Sequence, residues 1–156
     1  MALGDWRNGG RGWVLYRLAN VYLNYVEALN ESSPGDADIV RYLNLIRQRA
    51  GIPLYGAGAG MIAIPTAQSD MRDAIRRERR VELAFENTRF FDTRQWKIAT
   101  QTDNGPALGL NITQDPPAFY NVVSFENRIF QQKHYLFPIP QNEININKAL
   151  VQNSGW

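Results

Sequence analysis

Apolar residues recur at helical spacing in three stretches of the chain. In Val14–Glu31, Leu15, Leu18, Ala19, Tyr22, Val26 and Leu29 fall on one stripe at about 100° per residue. Leu23 and Tyr25 broaden that stripe, as in a helix packed on more than one side. The run NESSPG at Asn30–Gly35 closes it, because Pro34 and Gly35 favour a turn. A second stripe, Ile39, Tyr42, Leu43, Ile46 and Ala50, predicts a helix over Asp36–Ala50. Asp36 is its expected N-cap, Gly51 its C-terminal cap, and Pro53 follows the stop. The short link makes the pair antiparallel, an αα-hairpin over residues 14–50.

The third stretch, Asp70–Lys97, is the densest run of charge in the sequence. Asp70 is the expected cap, and Asp73 sits in the first turn, where the helix dipole favours a negative charge. Met71, Ala74, Ile75, Val81 and Phe85 share one face, with Glu78 and Glu82 in the middle of it and Glu86 continuing the row. Arg72, Arg76 and Arg80 run down the opposite side. An unpaired charge on a buried face is too costly, so Glu78 and Glu82 are expected to pair with arginines from neighbouring helices. Arg89 and Arg94 are candidate members of that structural ion-pair network, or partners of Asp92, because an Arg fork gives a carboxylate two charge-assisted bonds. The sharper chemistry for Glu78 and Glu82 is a glycosidase acid/base pair. Such a pair flanks a cleft, whereas a helix row points into a packing interface, so no catalytic residue is assigned. Asn87–Ala99 continues as helix after a break, with Phe90, Phe91, Trp96 and Ile98 as apolar bulk.

The remaining segments carry less pattern. Ile52–Gln68 is a Gly-, Ala- and Pro-rich connector; its GAGAG at Gly56–Gly60 lacks the Lys-Ser/Thr and the preceding strand of a phosphate loop. Residues 100–156 read as an irregular wrap, with a short extended segment within Phe125–Phe137 and one helical turn at Gln141–Ile146. Phe137–Pro140 is extended, since each proline disfavours helix in the residue before it. Trp156 reads as a plug.

Composition narrows the chemistry. The chain has 156 residues, 44% hydrophobic, enough for one domain with a core. Its net charge of +2 argues against a nucleic-acid protein, which shows an uncompensated basic face. The absence of cysteine excludes disulfides, Cys metal sites and a Cys nucleophile. His134 is the only histidine, so no metal site and no cofactor is assigned, and no G-x-S-x-G motif supports a triad. No run is long enough to span a membrane, and Met1–Asn20 lacks the apolar core of a signal peptide. An indole or phenol in a loop can stack on the apolar C–H face of a sugar ring. Trp6 and Trp13, in the Gly-rich Met1–Trp13 segment, and Tyr120 are therefore the glycan-binding candidates, against the alternatives that each Trp folds back to cap the core and that Tyr120 is an ordinary surface-loop aromatic.

Three quoted stretches carry a resemblance. ERRVELAFENTRFFDTRQW at Glu78–Trp96 resembles the signature of the SusD/RagB family, the nutrient-binding outer-membrane lipoproteins of Bacteroidetes. YRLANVYLNYVEALNE at Tyr16–Glu31 is similar to the helix preceding that signature, and YLFPIPQNEININKALVQNSGW at Tyr135–Trp156 to the family's ending, apart from Ser154 where the family usually has Pro. The resemblance implies a mainly α fold, the C-terminal part of a SusD-like protein. It would form a single domain over 1–156, with a TPR-like hairpin at 14–50, a long Arg/Glu signature helix at 70–99 and a loop-rich end at 100–156. It implies no enzyme activity. The implied role is polysaccharide utilisation: capture of an oligosaccharide at the cell surface and delivery to a SusC-type TonB-dependent outer-membrane transporter, the partner that the helical layer would face. Family members are anchored through a lipidated N-terminal cysteine, which this chain does not contain. Much of the family's ligand contact lies N-terminal to the matched region, so no binding residue is carried over. The alternative is a TPR-like protein-interaction scaffold without its own glycan site.

Overall fold

The computed structural model describes residues 16–156. The chain divides into two compact units, the first ending at Glu86 and the second running from Asn87 to Trp156.

The first unit is a three-helix layer of α1 (Leu18–Ser32), α2 (Ala37–Ala50) and α3 (Gln68–Glu82). α1 and α2 form the antiparallel hairpin that the short link predicts, and α3 packs mainly on α1. Leu23 and Val26 of α1, Ile39, Leu43 and Ile46 of α2, and Met71, Ala74 and Ile75 of α3 build the core, joined by Tyr55 and Leu83. Leu18, placed on the α1 stripe by periodicity, is exposed; the buried line runs through Asn20, Leu23, Val26 and Asn30 instead. α2 starts and stops as its sequence dictates. The Asp36 side chain accepts from the Asp38 N–H at 2.9 Å, and Gly51 takes a left-handed φ of 69°. Replacing Asp36 with Ala should cost about 1 kcal/mol in a urea-unfolding measurement, since an Ncap oxygen satisfies an otherwise unpaired helix donor.

α3 corrects two expectations. It begins at Gln68 behind Ala67, which offers no side-chain cap, so Asp70 lies within the first turn and acts through the helix dipole rather than as the cap. The helix also ends sooner than the pattern suggests. Val81 is 70% exposed, and Phe85 is fully exposed with φ of 66°. Val81 lies at the edge of the stripe whose middle is Met71, Ile75 and Glu78, and the chain leaves the helix at Leu83 before Phe85 can rejoin that face.

The second unit contains α4 (Arg89–Gln95), α5 (Ala99–Thr102), β1 (Gly105–Leu110), β2 (Val122–Arg128) and α6 (Gln141–Ile146). The stretch read as irregular thus holds an antiparallel two-stranded sheet, pairing Leu110 with Val122 and Leu108 with Ser124 and carrying a bulge after Ala107. Pro106 and Gly109 keep β1 from reading as a strand in the sequence. Phe90 and Phe91, expected as core, are exposed, and burial falls instead on Asp92, Thr93, Ala99 and Phe130. The Tyr135 and His134 rings stand edge-on to Phe130 at 4.9 and 5.5 Å. His134 serves its own turn, its Nδ1 accepting the Gln131 N–H at 3.0 Å. The Trp156 indole N–H donates to the carbonyls of Lys133 and Leu136, both at 3.1 Å.

Irregular backbone in both units is held by one repeated device. A side-chain amide bonds both the N–H and the C=O of a single distant residue, as a neighbouring strand would. Asn44 does this to Tyr55 (2.9 and 2.8 Å) and Gln152 to Ile139 (2.9 and 2.8 Å). Asn104 grips Phe130 in the same way, accepting its N–H and donating to its carbonyl at 3.0 Å. Each pair satisfies two main-chain groups that have no ladder partner.

Candidate functional site

The carboxylate row of α3 is the most elaborate polar arrangement in the first unit. Glu78 is buried and ion-paired with Arg47 of α2, the side chains 10% and 8% exposed. Arg47 also donates through Nε to the Pro53 carbonyl at 2.6 Å and lies over the Tyr55 ring, 4.8 Å from its centroid. The Tyr55 hydroxyl reaches Glu78 Oε1 at 3.4 Å, and burial, with Glu78 beside it, pushes its phenol above the usual tyrosine range. One turn on, Glu82 receives Arg17 and Arg49 from the open end of the α1–α2 hairpin, where α1 starts and α2 stops, and Arg17 also donates to the Glu82 carbonyl. Arg17 Nε then forks onto Glu86 at 2.9 and 3.0 Å. In the second unit, Arg94 lies 3.8 Å from Asp103 and donates to the Phe90 carbonyl, while Arg89 stacks near Trp96 at 5.9 Å. Arg47, Arg17 and Arg49 are thus the partners of the α3 row, and periodicity alone does not name them. One signal points to Arg47: it extends the buried stripe of α2, one turn beyond Leu43. With its carboxylates committed to guanidinium groups, the row builds a helix interface.

At the other end of α3, Arg72 holds Glu31 bidentately at 2.6 and 2.7 Å. The hydrogen bond from Arg72 keeps Glu31 below the usual carboxylate range, and that from Arg17 does the same for Glu86. Their folded values lie below the unfolded ones, so their stabilisation is present above the unfolded carboxylate pKa of about 4.3 and drains away as pH falls through the folded values. Unfolding free energy should therefore drop on acidification below about pH 4.3, and the Glu31→Gln/Glu86→Gln double variant should flatten that slope. An unchanged slope in urea titrations across this range would count against both pairs.

Two recesses stand out among the described residues. A cavity of about 340 Å³ lies among the end of α1, the start of α2 and the approach to α3, lined by Asn30, Asp36, Ile39, Ile64, Gln68 and Met71. Its polar groups face one another: Asn30 donates to the Gln68 carbonyl at 3.2 Å, Gln68 to the Asn30 carbonyl at 2.9 Å, and Asp36 caps α2. The other, about 460 Å³, sits at the end of the hairpin against Leu110, Asn111, Ile112, Thr113, Val123 and Phe125.

Of the glycan candidates, Tyr120 is described. It ends a turn of 3-10 helix, is 66% exposed, and is braced edge-on by Phe119 at 5.3 Å. The Asn111 N–H donates to the Phe119 and Asn121 carbonyls on either side of it, at 3.1 and 3.0 Å, which fixes the tyrosine at the hairpin end. Trp6 and Trp13 lie outside the described residues. Among the described residues no group of acidic and histidine side chains could hold a metal, and no helix is long and apolar enough to cross a membrane.

Comparison with known proteins agrees in sequence and in structure. Residues 5–156 match the profile of the SusD family. SusD-like protein P2 of Formosa agariphila is 29% identical over 154 residues, covering 99% of this chain and 28% of its own length. A solved SusD-like protein from Bacteroides fragilis superposes with a TM-score of 0.77 at 32% identity, covering 92% of this chain and 26% of that one. A second structure from Bacteroides fragilis, described as a SusD-like carbohydrate-binding protein, gives 0.67 at 28% identity over 85% of this chain and 27% of its own. The chain spans about a quarter of the length of the relatives it matches.

Proposed function

The chain belongs to the SusD family, and from that premise we propose that it contributes to non-catalytic capture of an oligosaccharide at the cell surface and its delivery to a SusC-type TonB-dependent transporter in the outer membrane. The observation that carries this reading is the family match across residues 5–156. SusD-like proteins are generally glycan-binding proteins without catalysis, and in Bacteroidetes they are surface lipoproteins of the outer membrane. The relative described as carbohydrate-binding shares the fold. The commitment of Glu78 and Glu82 to arginines, with their side chains 10% and 11% exposed, supports binding over hydrolysis.

Within this chain, Tyr120 is the proposed contact. Its ring is exposed and braced, so stacking a sugar on it costs little ordering, and its hydroxyl can bond a sugar hydroxyl. A glycan array of the purified chain, followed by calorimetry on the hits, tests this. Tyr120→Ala should weaken the best glycan severalfold, the loss of one aromatic contact of about 1 kcal/mol. A cooperatively folded chain that binds no glycan would remove the sugar site from these residues.

A further inference from the structure

The recess at the end of the β1–β2 hairpin joins two kinds of group. Gly109 pairs with Val123, and side chains alternate along a strand, so Gly109, Val123 and Phe125 share one face. Phe125 lies over Gly109, where a Cβ would meet its ring at 3.3 Å. Leu110 and Ile112 add apolar wall, and among the described residues no charged side chain lines the recess. Its polar side chains are Asn111 and Thr113. The Thr113 hydroxyl donates to Asn111 Oδ1 at 2.8 Å, which sets the orientation of the amide. Asn111 Nδ2 has no hydrogen-bond partner and is left as a donor. The Asn111 backbone N–H meanwhile bonds the carbonyls on either side of Tyr120, so amide, recess and tyrosine belong to one turn. The volume of about 460 Å³ falls within the roughly 300–1,000 Å³ of small-ligand sites, which set a few placed polar groups in apolar walls.

An acyl group answers both features at once, its methyl against the apolar wall and its carbonyl oxygen on the amide donor. A sugar hydroxyl gains nothing from Leu, Ile and Val. A carboxylate or sulfate finds no cation here, and a deoxy-sugar methyl would cover the donor without bonding it. We infer that the recess takes an acetyl group carried by the sugar that meets Tyr120, which makes the ligand class a neutral, acetylated oligosaccharide. The inference rests on the reading of Tyr120 as a glycan contact and adds what that glycan carries.

Calorimetry of the 156-residue chain with two matched pairs of sugars tests it. Chitotriose differs from cellotriose by an acetamido group in place of a hydroxyl on each ring, and acetylated xylotriose differs from xylotriose by acetyl esters. The acetylated member should bind about tenfold tighter in one pair or both, since a methyl is buried and a hydrogen bond is made. A preference in the first pair alone assigns the group to an amide, and in the second alone to an ester. In saturation-transfer NMR the acetyl methyl should be the most strongly saturated group of the preferred sugar. Asn111→Asp keeps the acceptor for Thr113 and removes the donor, so the preference should shrink below about threefold. If that variant fails to fold, the wild-type pairs and the methyl saturation still decide. A preference for the unacetylated member, or one that a folded Asn111→Asp leaves intact, overturns the inference. Equal affinity within both pairs, with Tyr120→Ala weakening every member, overturns the acetyl group and leaves the glycan contact standing. A cooperatively folded chain that binds none of the four overturns both.

Discussion

Arg47→Met should destabilise the chain by about 3–5 kcal/mol, the typical cost of removing one partner of a buried ion pair. The size follows from what Arg47 leaves behind. Glu78 would keep a charge at a position 10% exposed, with only the distant Tyr55 hydroxyl at 3.4 Å to answer it. The Pro53 carbonyl would lose its donor, and the Tyr55 ring its cation. Most of the loss is thus the penalty of an orphaned carboxylate rather than the net worth of the pair, and that distinction can be measured. Adding Glu78→Leu to Arg47→Met removes the stranded charge, so the double variant should recover more than half of the lost stability in urea unfolding. A double variant as unstable as the single one would mean that packing around Arg47, not charge, sets the cost.

Leu23→Ala should cost about 3 kcal/mol. Leu23 is fully buried on α1, the helix that contacts both α2 and α3, so a void there opens against both partners. The lost transfer free energy adds to the cavity term because three packed helices cannot collapse around one missing isopropyl group. The urea midpoint should fall while its slope stays constant, which identifies a change in stability rather than in the unfolded state. Leu18→Ala, near the start of the same helix, should change stability by less than about 0.5 kcal/mol, because that side chain is exposed.

The contrast between Leu18 and Leu23 also measures what the sequence could disclose. Periodicity located α1, α2 and α3, and local chemistry placed the ends of α2, because Asp36 and Gly51 act on their own backbone. It put Glu78 and Glu82 on the buried side of α3 and so demanded cations for them. Which cations answered was not a local matter: Arg47 comes from 31 residues away and Arg17 from 65. Periodicity also admitted Val81 and Phe85 to the buried face, since it counts apolar residues without knowing where a helix stops or how wide its neighbour is. In the second unit β1 escapes notice because Pro106 and Gly109 read as loop, although its partner needs only their paired backbone, whereas β2 overlaps the extended segment expected within Phe125–Phe137. Tyr120 could be named as a candidate from residue type and loop position; its bracing by Phe119 and Asn111 could not, since that depends on how the hairpin end folds back.

The amide that grips Phe130 belongs to Asn104, and the next residue is Gly105 with φ of 92°. Asn-Gly is the pair at which a side-chain amide most readily cyclises onto the following backbone nitrogen, because glycine offers no side chain to hinder it. The residue that ties β2's exit to α5 is therefore also a clock. When it deamidates, a carboxylate takes the place of the donor facing the Phe130 carbonyl, and the grip becomes a repulsion. Ageing of the purified protein should begin at its two Asn-Gly pairs, Asn8-Gly9 and Asn104-Gly105, visible in a tryptic map as an acidic shift of the peptides carrying them before any other asparagine follows.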